Sequence, residues 1–396
     1  MAAMTDRVDA PPWRVPQVRA TIAAVLFGFI GFAVLLGALP ARLSDLGFPP
    51  GAAGVATTAT LIATVAVQLV TPALLRRFSA RALLAVGLAL LGAPAPFYAV
   101  VTSMPAIVAL SVLRGAGFAL ITVIGALTAT EAVTPNRRGA AIGLYGLGAA
   151  IPIALGPGLG TGLTERGAFT AVCVIAAVPI LGIPACRFIG PLAGIDSDQH
   201  SGAAAVLRAC WWPCLLLFVV TAAGGGIITL LPVIDTGVPV AVALLVFGIT
   251  SVLSRWLVGG LSDRVGAHRL VVPLSAIMVL GVFLIGPALA PDRVTLLLAA
   301  VGVAGVGYGA LQSVTLGVSL MQFAGRDAAT VSTAWNVAFD AGTGLGAGLL
   351  TWSAAGPIGP VGSFAALAGV TAAVAAATAL SLRATTRQAA ARAPGA

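Results

Sequence analysis

The chain has 396 residues, of which 59% are hydrophobic and only 8% are charged, and its mean hydropathy is +1.07. Soluble domains carry about 25% charged residues, so this composition excludes an ordinary water-soluble protein and indicates an integral membrane protein. The formal net charge is +9 and every positive residue is arginine. These arginines lie in short segments between apolar runs, where we expect them to set membrane topology and not to bind nucleic acid.

Twelve apolar runs are long enough to cross a bilayer, which takes ~20 residues. In chain order they are 20–40, 52–75, 82–101, 105–130, 140–161, 168–187, 209–232, 239–260, 270–290, 294–322, 328–352 and 360–382. The first run is too long for the apolar part of a signal peptide, so we interpret it as a span.

The distribution of arginine gives the predicted orientation. With the N-terminus inside, sixteen arginines fall in inside segments, Arg114 and Arg255 fall in predicted spans, and only Arg42, Arg166 and Arg293 fall outside. Positive residues collect on the cytoplasmic side of a membrane. The sequence therefore predicts that both termini are cytoplasmic.

The longest polar interruption, 190–208, lies near the middle of the chain and predicts a linker between two similar halves. Each half has a Leu-Pro pair at the outer end of its first span, followed by a charged turn, RRFSAR at 76–81 and DRVGAH at 263–268. Repeated six-helix halves are typical of one large class of transporters. The predicted parts are a cytoplasmic tail 1–19, a six-helix bundle 20–189, a cytoplasmic linker 190–208, a second six-helix bundle 209–382 and a cytoplasmic tail 383–396.

The charged turn between spans eight and nine carries Gly259, Leu261, Asp263, Arg264 and Gly266 in a spacing that resembles the loop signature of the major facilitator superfamily. The resemblance implies an all-α membrane fold of twelve helices in two six-helix pseudo-repeats. It also implies a cytoplasmic latch that stabilises the outward-facing state, with small residues that let helices approach closely. The alternative is a tight turn whose charges only set orientation. We expect the nearby Arg255 to belong to this inner cluster.

The first half holds a weaker copy of this signature in PALLRRFSAR, 72–81. Leu74, Arg77 and Arg81 match, whereas Arg76 replaces the acidic residue. Pro72 and Ser79 replace the two glycines. We therefore expect the second-half copy to carry the latch alone.

Span four contains Arg114 in the stretch LRGAG. An arginine inside a span costs about 2.5–3.5 kcal/mol on insertion scales, so it predicts a functional site by default. The family resemblance implies that Arg114 takes part in proton coupling. The alternative is an arginine near the outer third of the span that reaches to water.

Span five, GLYGLGAAIPIALGPGLG, resembles the antiporter signature of the same superfamily. Gly143, Gly156, Pro157 and Gly160 fit its spacing, and Pro152 stands where a middle glycine belongs. Glycine permits close helix packing and proline bends a helix. The resemblance implies a bend that seals the cavity against leak and marks exporters. The alternative is generic small-residue packing.

Span eleven carries Asp340 halfway along its length. A carboxylate at that depth is rare and costly, so we predict that it carries the coupled proton or pairs with a cationic substrate. The alternative is a structural hydrogen bond to a neighbouring helix.

Few polar or aromatic residues are available to line a central cavity, which indicates a mostly apolar pocket for amphipathic ligands. The candidates are Thr122, Thr229, Tyr308, Gln312, Trp335 and Asn336. The glycine run at 302–309 is interpreted as helix packing.

Energy for transport must come from an ion gradient, because a chain without lysine has no P-loop lysine. Hydrolase and metalloprotease motifs are also missing, so we predict no enzyme, no metal and no cofactor. The leading hypothesis is a monomeric, multi-pass transporter of a cell (inner) membrane that exports a small amphipathic drug or metabolite in exchange for protons. The alternatives are proton-coupled uptake of a sugar or organic acid, and a non-transporting receptor or channel.

Overall fold

The computed structural model describes residues 10–134, 137–191, 203–234, 239–290, 292–322 and 328–392. Its α-helices, in chain order, are α1 Pro16–Asp45, α2 Pro50–Leu75, α3 Ala80–Gly92, α4 Met104–Glu131, α5 Arg138–Glu165, α6 Phe169–Ala176, α7 Ala203–Leu230, α8 Val240–Val265, α9 Ala267–Ala288, α10 Val294–Gln322, α11 Ala328–Ala354 and α12 Gly359–Arg392. Short 3₁₀ segments cover Pro12–Arg14, Ala95–Ala99, Val178–Phe188 and Leu231–Val233.

These helices coincide with the predicted spans to within a few residues at most ends. By length and composition, 11 helical segments of the described chain could cross a membrane, where the sequence predicted twelve. Helix α11 is not among them, although it is 27 residues long. Its polar residues, including Asn336 and Asp340, lower its mean hydropathy.

The predicted tails and linker are only partly described. Residues 1–9, 192–202 and 393–396 lie outside the described residues. The C-terminal tail predicted from residue 383 begins as helix, because α12 continues to Arg392.

Two predicted spans are each built from an α-helix and a 3₁₀ segment. Helix α3 is followed by Ala95–Ala99, with Pro94 and Pro96 at the change. Helix α6 is followed by Val178–Phe188, with Pro179 in its first turn. Proline cannot donate a hydrogen bond to the carbonyl one turn earlier, so closely spaced prolines interrupt the regular α-helix.

The described chain divides into two compact units. Unit 1 comprises Met1–Gln199, Ile228–Asp235 and Pro239–Leu245, and unit 2 comprises His200–Ile227, Thr236–Val238 and Val246–Ala396. The end of α7 and the first turns of α8 thus group with the N-terminal helices.

In unit 1, α1 lies at the centre and packs against α4, α5 and the segment Val178–Phe188. The rings of Phe32 and Phe118 stack with their centroids 3.7 Å apart, and Phe29 meets Phe118 edge-on at 5.0 Å. Gly37 of α1 faces the backbone carbonyl of Pro157 on α5, so the two backbones approach where no side chain intervenes.

In unit 2, α10 is packed through glycine on two of its sides. Gly305 and Gly309 face the backbone of α8, where Gly309 meets the carbonyl of Ser251. Gly307 faces α9, and a Cβ there would lie 2.6 Å from the Cα of Met278. The glycines of the run at 302–309 therefore let α10 pack closely against α8 and α9, as we expected from the sequence.

The outer surfaces of both units carry large apolar side chains. Trp256 is 74% exposed, Trp352 is 73% exposed and Leu69 is 63% exposed. Extended exposed apolar surface marks contact with a membrane, and tryptophan concentrates at its interfaces. This surface suits a protein whose solvent is lipid.

Candidate functional site

Unit 2 buries a carboxylate in the middle of one of its helices. Asp340 is the thirteenth of the 27 residues of α11 and is only 5% exposed. On α10, Tyr308 is also 5% exposed and lies within electrostatic reach of the Asp340 carboxylate. A buried ionisable group at this depth is expensive unless other groups compensate its charge.

A cation of α8 also lies within electrostatic reach of Tyr308. Arg255 donates a hydrogen bond of 2.9 Å from Nη1 to the Oε1 atom of Gln312, which is 3% exposed. The Gln312 side chain also hydrogen-bonds to Tyr308, one turn earlier on α10. A chain of polar groups thus runs from the Arg255 cation towards the Asp340 carboxylate.

An indole ring lies on the other side of this arginine. The guanidinium carbon of Arg255 is 5.9 Å from the centre of the Trp335 ring, which is a cation–π distance. Trp335 is 5% exposed and donates from Nε1 to the Thr315 hydroxyl at 3.2 Å. The ring also stacks on Phe339 with centroids 5.6 Å apart. These contacts hold the ring in one orientation.

Helix α10 makes close contacts with the backbones of α8 and α7 at this cluster. The hydroxyl of Ser313 on α10 donates to the backbone carbonyl of Arg255 at 2.8 Å. Tyr308 lies against Gly224 of α7, where any Cβ would collide with its ring. The Tyr308 ring therefore packs directly on the backbone of α7, and the Ser313 hydroxyl ties α10 to the backbone of α8.

The predicted coupling residue of unit 1, Arg114, is held by backbone carbonyls. It is 4% exposed and donates to the carbonyl of Leu91 on α3 and, at 2.6 Å, to that of Gly31 on α1. Helix α3 ends at Gly92, so the Leu91 carbonyl belongs to the group of terminal carbonyls that lack a donor in the next turn. A cation is also favoured at a helix C-terminus.

The two threonines predicted for the cavity both lie in unit 1. Thr122 of α4 is 9% exposed, donates to the Ala119 carbonyl and accepts from Gln68 at 3.4 Å. Thr229 is fully buried and hydrogen-bonds to Thr57 at 3.5 Å. Tyr308, Gln312 and Trp335 lie together in unit 2, and Asn336 is half-buried beside Trp335 in sequence.

The span-five signature divides into a packed and an unpacked part. A Cβ at Gly156 would lie 2.5 Å from that of Ala33, and one at Gly160 would collide with the carbonyl of Val34, so both glycines bring α5 onto α1. Gly143 is exposed, and no described atom lies within 4 Å of its Cβ position. Pro152 and Pro157 are buried within α5.

The second-half gate signature covers the end of α8 and the start of α9. Gly266 adopts φ +92, a region that favours glycine, and so forms the turn between the helices. Leu261 is 42% exposed and Arg264 is exposed. The side chain of Asp263 lies outside the described part of the structure. No described atom lies within 4 Å of the Cβ position of Gly259.

The first-half copy lies between α2 and α3. Arg81 donates to the backbone carbonyls of Arg187 at 2.8 Å and Ile189 at 3.3 Å, and so ties the start of α3 to the end of the Val178–Phe188 segment. Leu74 is half-buried and Arg77 is exposed.

Comparison with known protein families identifies the family of this chain. Residues 21–347 match the family model described as Major Facilitator Superfamily. The chain belongs to the major facilitator superfamily. Members are transporters and not enzymes. A search of curated proteins found no match.

Solved structures show the same superfamily fold. The nucleoside transporter NupG aligns with a TM-score of 0.71 at 14% identity, over 92% of this chain and 98% of that chain; a single-residue mutant of NupG gives 0.71 at 12% identity, over 93% and 99%. A bacterial homologue of the human lysosomal transporter Spinster, solved in an inward-facing and unoccupied conformation, gives 0.65 at 15% identity, over 95% and 96%. These identities are low, so the likeness shows the fold alone.

One intramembrane arginine of this superfamily member has a partner that was not predicted. Arg255 was expected to belong to the charged cluster after α8, and its side chain donates a hydrogen bond to Gln312 on α10. The available signal was its position: it is the sixteenth of the 26 residues of α8, well before the helix ends. An intramembrane arginine indicates a functional site, as it did for Arg114.

Proposed function

We propose that this protein is a proton-coupled secondary transporter that exports a small amphipathic drug or metabolite in exchange for protons by alternating access. We further propose twelve spans in two six-helix repeats, a monomer, and a cell (inner) membrane location with both termini cytoplasmic. Membership of the superfamily supports a secondary transporter. The sixteen-to-three distribution of arginine between inside and outside segments supports the orientation.

The observation that carries the proton coupling is the burial of Asp340 in α11 beside a cluster of polar groups. A carboxyl group that is 5% exposed and near Tyr308 changes the charge of its surroundings when it gains or loses a proton. Such a change can favour one conformation of a two-state protein over another. In this proposal Asp340 carries the proton, and Arg114, which joins α4 to α1 and α3, takes part in proton coupling through that junction.

The packing of α5 supports export as the direction. Gly156 and Gly160 bring this helix against α1 without intervening side chains. From the resemblance to the antiporter signature of the superfamily, we expect that contact to seal the cavity against proton leak. The gate residues Gly259, Leu261, Asp263, Arg264 and Gly266 form the proposed cytoplasmic latch, and Arg81 fastens the corresponding turn of unit 1.

Proton-coupled uptake of an organic acid is the second candidate, and one observation favours it. Arg255 places a cation inside α8, and both Arg255 and the proposed proton carrier Asp340 lie within electrostatic reach of Tyr308. A cation is the natural partner of an acidic substrate. The packing of α5 against α1 favours the exporter. A channel or receptor has no need of a titratable carboxylate at this depth.

The energy available to such a transporter is sufficient for export. One charge that crosses 100 mV releases about 2.3 kcal/mol. That energy sustains a substrate ratio of roughly 10–100-fold for each proton.

The proposed function is tested by measuring how much of a panel of fluorescent dyes and labelled drugs accumulates in an efflux-deficient bacterial host. Cells with the protein should hold less of at least one compound than cells with an empty vector, and an uncoupler should abolish the difference. A difference that survives the uncoupler would contradict proton coupling. Greater accumulation in cells with the protein would favour the uptake candidate.

A further inference from the structure

One end of unit 1, which we call the basic end, carries an excess of positive charge. Its segments contain nine arginines against five acidic residues: 1–19, 76–81, 131–138 and 187–199. The segments at the opposite end contain two of each: 42–50, 93–103 and 165–168. Like charges gathered at one end repel each other, so an anion from outside the chain would stabilise the basic end.

Two side chains fasten the segments of the basic end to one another. The guanidinium of Arg81, at the start of α3, donates to the backbone carbonyls of Arg187 and Ile189. Gln17 of α1 accepts from the backbone N–H of Gly190 at 3.1 Å and donates to the carbonyl of Thr128 on α4 at 3.2 Å. The start of α1, the turn before α3 and the segment after Val178–Phe188 therefore form one continuous surface.

The arginines on this surface are open to an external partner. Arg14, Arg19, Arg76 and Arg187 are exposed. Among the described residues of the basic end, the carboxylate is that of Glu131, which pairs with Arg138 at 2.7 Å. A planar guanidinium binds a phosphate through two parallel hydrogen bonds, so the exposed arginines suit a phosphate group.

Exposed aromatic rings lie beside these cations. Trp13 is 59% exposed, Phe78 is 54% exposed and Phe188 is 50% exposed. The short helix that carries Trp13 is anchored by Pro12, which is buried. The Arg187 guanidinium lies over the Phe188 ring, 4.6 Å from its centre.

The combination of arginines and rings distinguishes a lipid from a soluble phosphate. Tryptophan concentrates at the level of the headgroups of a bilayer, and arginine near the membrane surface attracts anionic lipids. A soluble phosphate ester would use the arginines and leave the apolar rings in water. A phospholipid supplies both a phosphate for the cations and acyl chains for the rings.

We propose that the basic end of unit 1 binds the headgroups of anionic phospholipids. The guanidinium groups of Arg14, Arg19, Arg76 and Arg187 contact the phosphate groups, and the exposed rings rest against the upper acyl chains. With the proposed orientation, these lipids belong to the cytoplasmic leaflet. The proposal goes beyond the transported compound and its coupling, because an exporter and an importer would use this surface alike.

The test compares two lipids with identical acyl chains, phosphatidylglycerol and phosphatidylcholine. Native mass spectrometry of the full-length protein in mild detergent measures the affinity of each lipid as it is added. We expect the first phosphatidylglycerol to bind at least about tenfold more tightly than phosphatidylcholine. Excess glycerol 1-phosphate should not displace it, because that compound lacks the acyl chains.

Removal of two cations should weaken this selectivity. Arg76→Gln combined with Arg187→Gln should lower the affinity for phosphatidylglycerol about 10–30-fold and leave that for phosphatidylcholine unchanged. Arg166→Gln combined with Arg293→Gln is the matched control. It removes the same charge from two exposed arginines whose described side-chain bonds go to backbone carbonyls, and it should bind both lipids like the wild type. If the first variant does not fold, Arg14→Gln with Arg19→Gln replaces it, with the same expected loss.

Four results would overturn the proposal. They are equal affinity of the wild type for the two lipids, displacement of phosphatidylglycerol by glycerol 1-phosphate, wild-type selectivity in a folded variant of the basic end, or an equal loss in the control variant. The second result would assign the surface to soluble phosphate esters, and the fourth would reduce the effect to net charge. The measurement involves no transport, so its failure leaves the accumulation test and the proposed function unaffected.

Discussion

Arg114 on α4 donates a hydrogen bond of 2.6 Å to the backbone carbonyl of Gly31 on α1. The same guanidinium also donates to the carbonyl of Leu91 at the end of α3. One buried side chain therefore joins three helices of unit 1. A role of Arg114 in proton coupling would have to act through this junction. Substitution of Arg114 shows whether a loss of transport goes together with a loss of stability.

Replacement of Arg114 by lysine should destabilise the protein. An ammonium group is a single point and cannot reproduce the planar fork that engages two carbonyls on different helices. Loss of one charged hydrogen bond costs about 1.5–3 kcal/mol. The melting temperature of the purified Arg114→Lys protein should fall, while that of Arg293→Lys stays at the wild-type value. Lost transport with an unchanged melting temperature would instead assign Arg114 a direct part in coupling.

Replacement of Gly160 by alanine should separate α5 from α1. The new methyl group meets the backbone carbonyl of Val34, which cannot rotate away as a side chain would. Overpacking of this kind costs about 1–3 kcal/mol. Gly143→Ala is the matched control, because its Cβ meets no described atom within 4 Å and alanine favours helix. Equal thermal stability of the two variants would contradict the packing described for α5.

The turn between α8 and α9 gives a second matched pair of glycines. Gly266→Ala forces a side chain into φ +92 and should destabilise the turn by about 1–2 kcal/mol. Gly259→Ala, from the same signature, should have little effect because the space around it is open. Proteolysis at the turn measures the difference. Cleavage should be faster only in Gly266→Ala. A comparable increase in Gly259→Ala would contradict the conclusion that only Gly266 must be glycine.

Replacement of Asp340 by asparagine should abolish proton-driven transport and leave the protein in the membrane. The amide keeps the size and the polarity of the side chain but has no proton to exchange. Asp45→Asn makes the same chemical change at an exposed position and should transport normally. The measurement is pH-driven exchange in proteoliposomes with a compound identified by the accumulation assay. Retained exchange in Asp340→Asn would remove this residue as the proton carrier.

The sign of the coupling distinguishes export from uptake. In an antiporter the substrate and the proton exclude each other, so adding the exported compound to purified protein in weakly buffered solution should release protons. The titratable side chains that accompany Asp340 in the described cluster are Arg255 and Tyr308. An anion bound at Arg255 would repel the Asp340 carboxylate and favour proton uptake. Net uptake would therefore replace the exporter with the organic-acid symporter.

The helices could be predicted from the sequence because bilayer thickness fixes the length of an apolar run. The breaks after α3 and α6 were not predicted, although Pro94, Pro96 and Pro179 were visible signals for them. Run length alone does not tell an α-helix from an α-helix continued as a 3₁₀ segment. The apolarity of α11 was overestimated, because its polar residues are spread among small apolar ones.

The site was predicted unevenly, for a physical reason. Asp340 and Arg114 could be singled out because a charge inside a span is costly wherever it lies. Their partners could not be named, because Arg114 bonds to backbone carbonyls, which every residue possesses. The partner of Arg255 could not be named from the sequence either. Its partner Gln312 is 57 positions away in the chain, and only the close packing of α8 on α10 brings the two together.

The glycine contacts of α10 determine which natural substitutions this protein tolerates. A glycine codon becomes an alanine codon by one base change, so mutation supplies this substitution often. At Gly305 and Gly309 the new methyl group would strike the backbone of α8, whereas at Gly317 and Gly369 no described atom lies within 4 Å. Natural variants should therefore retain glycine at the first two positions and exchange it freely for alanine at the other two.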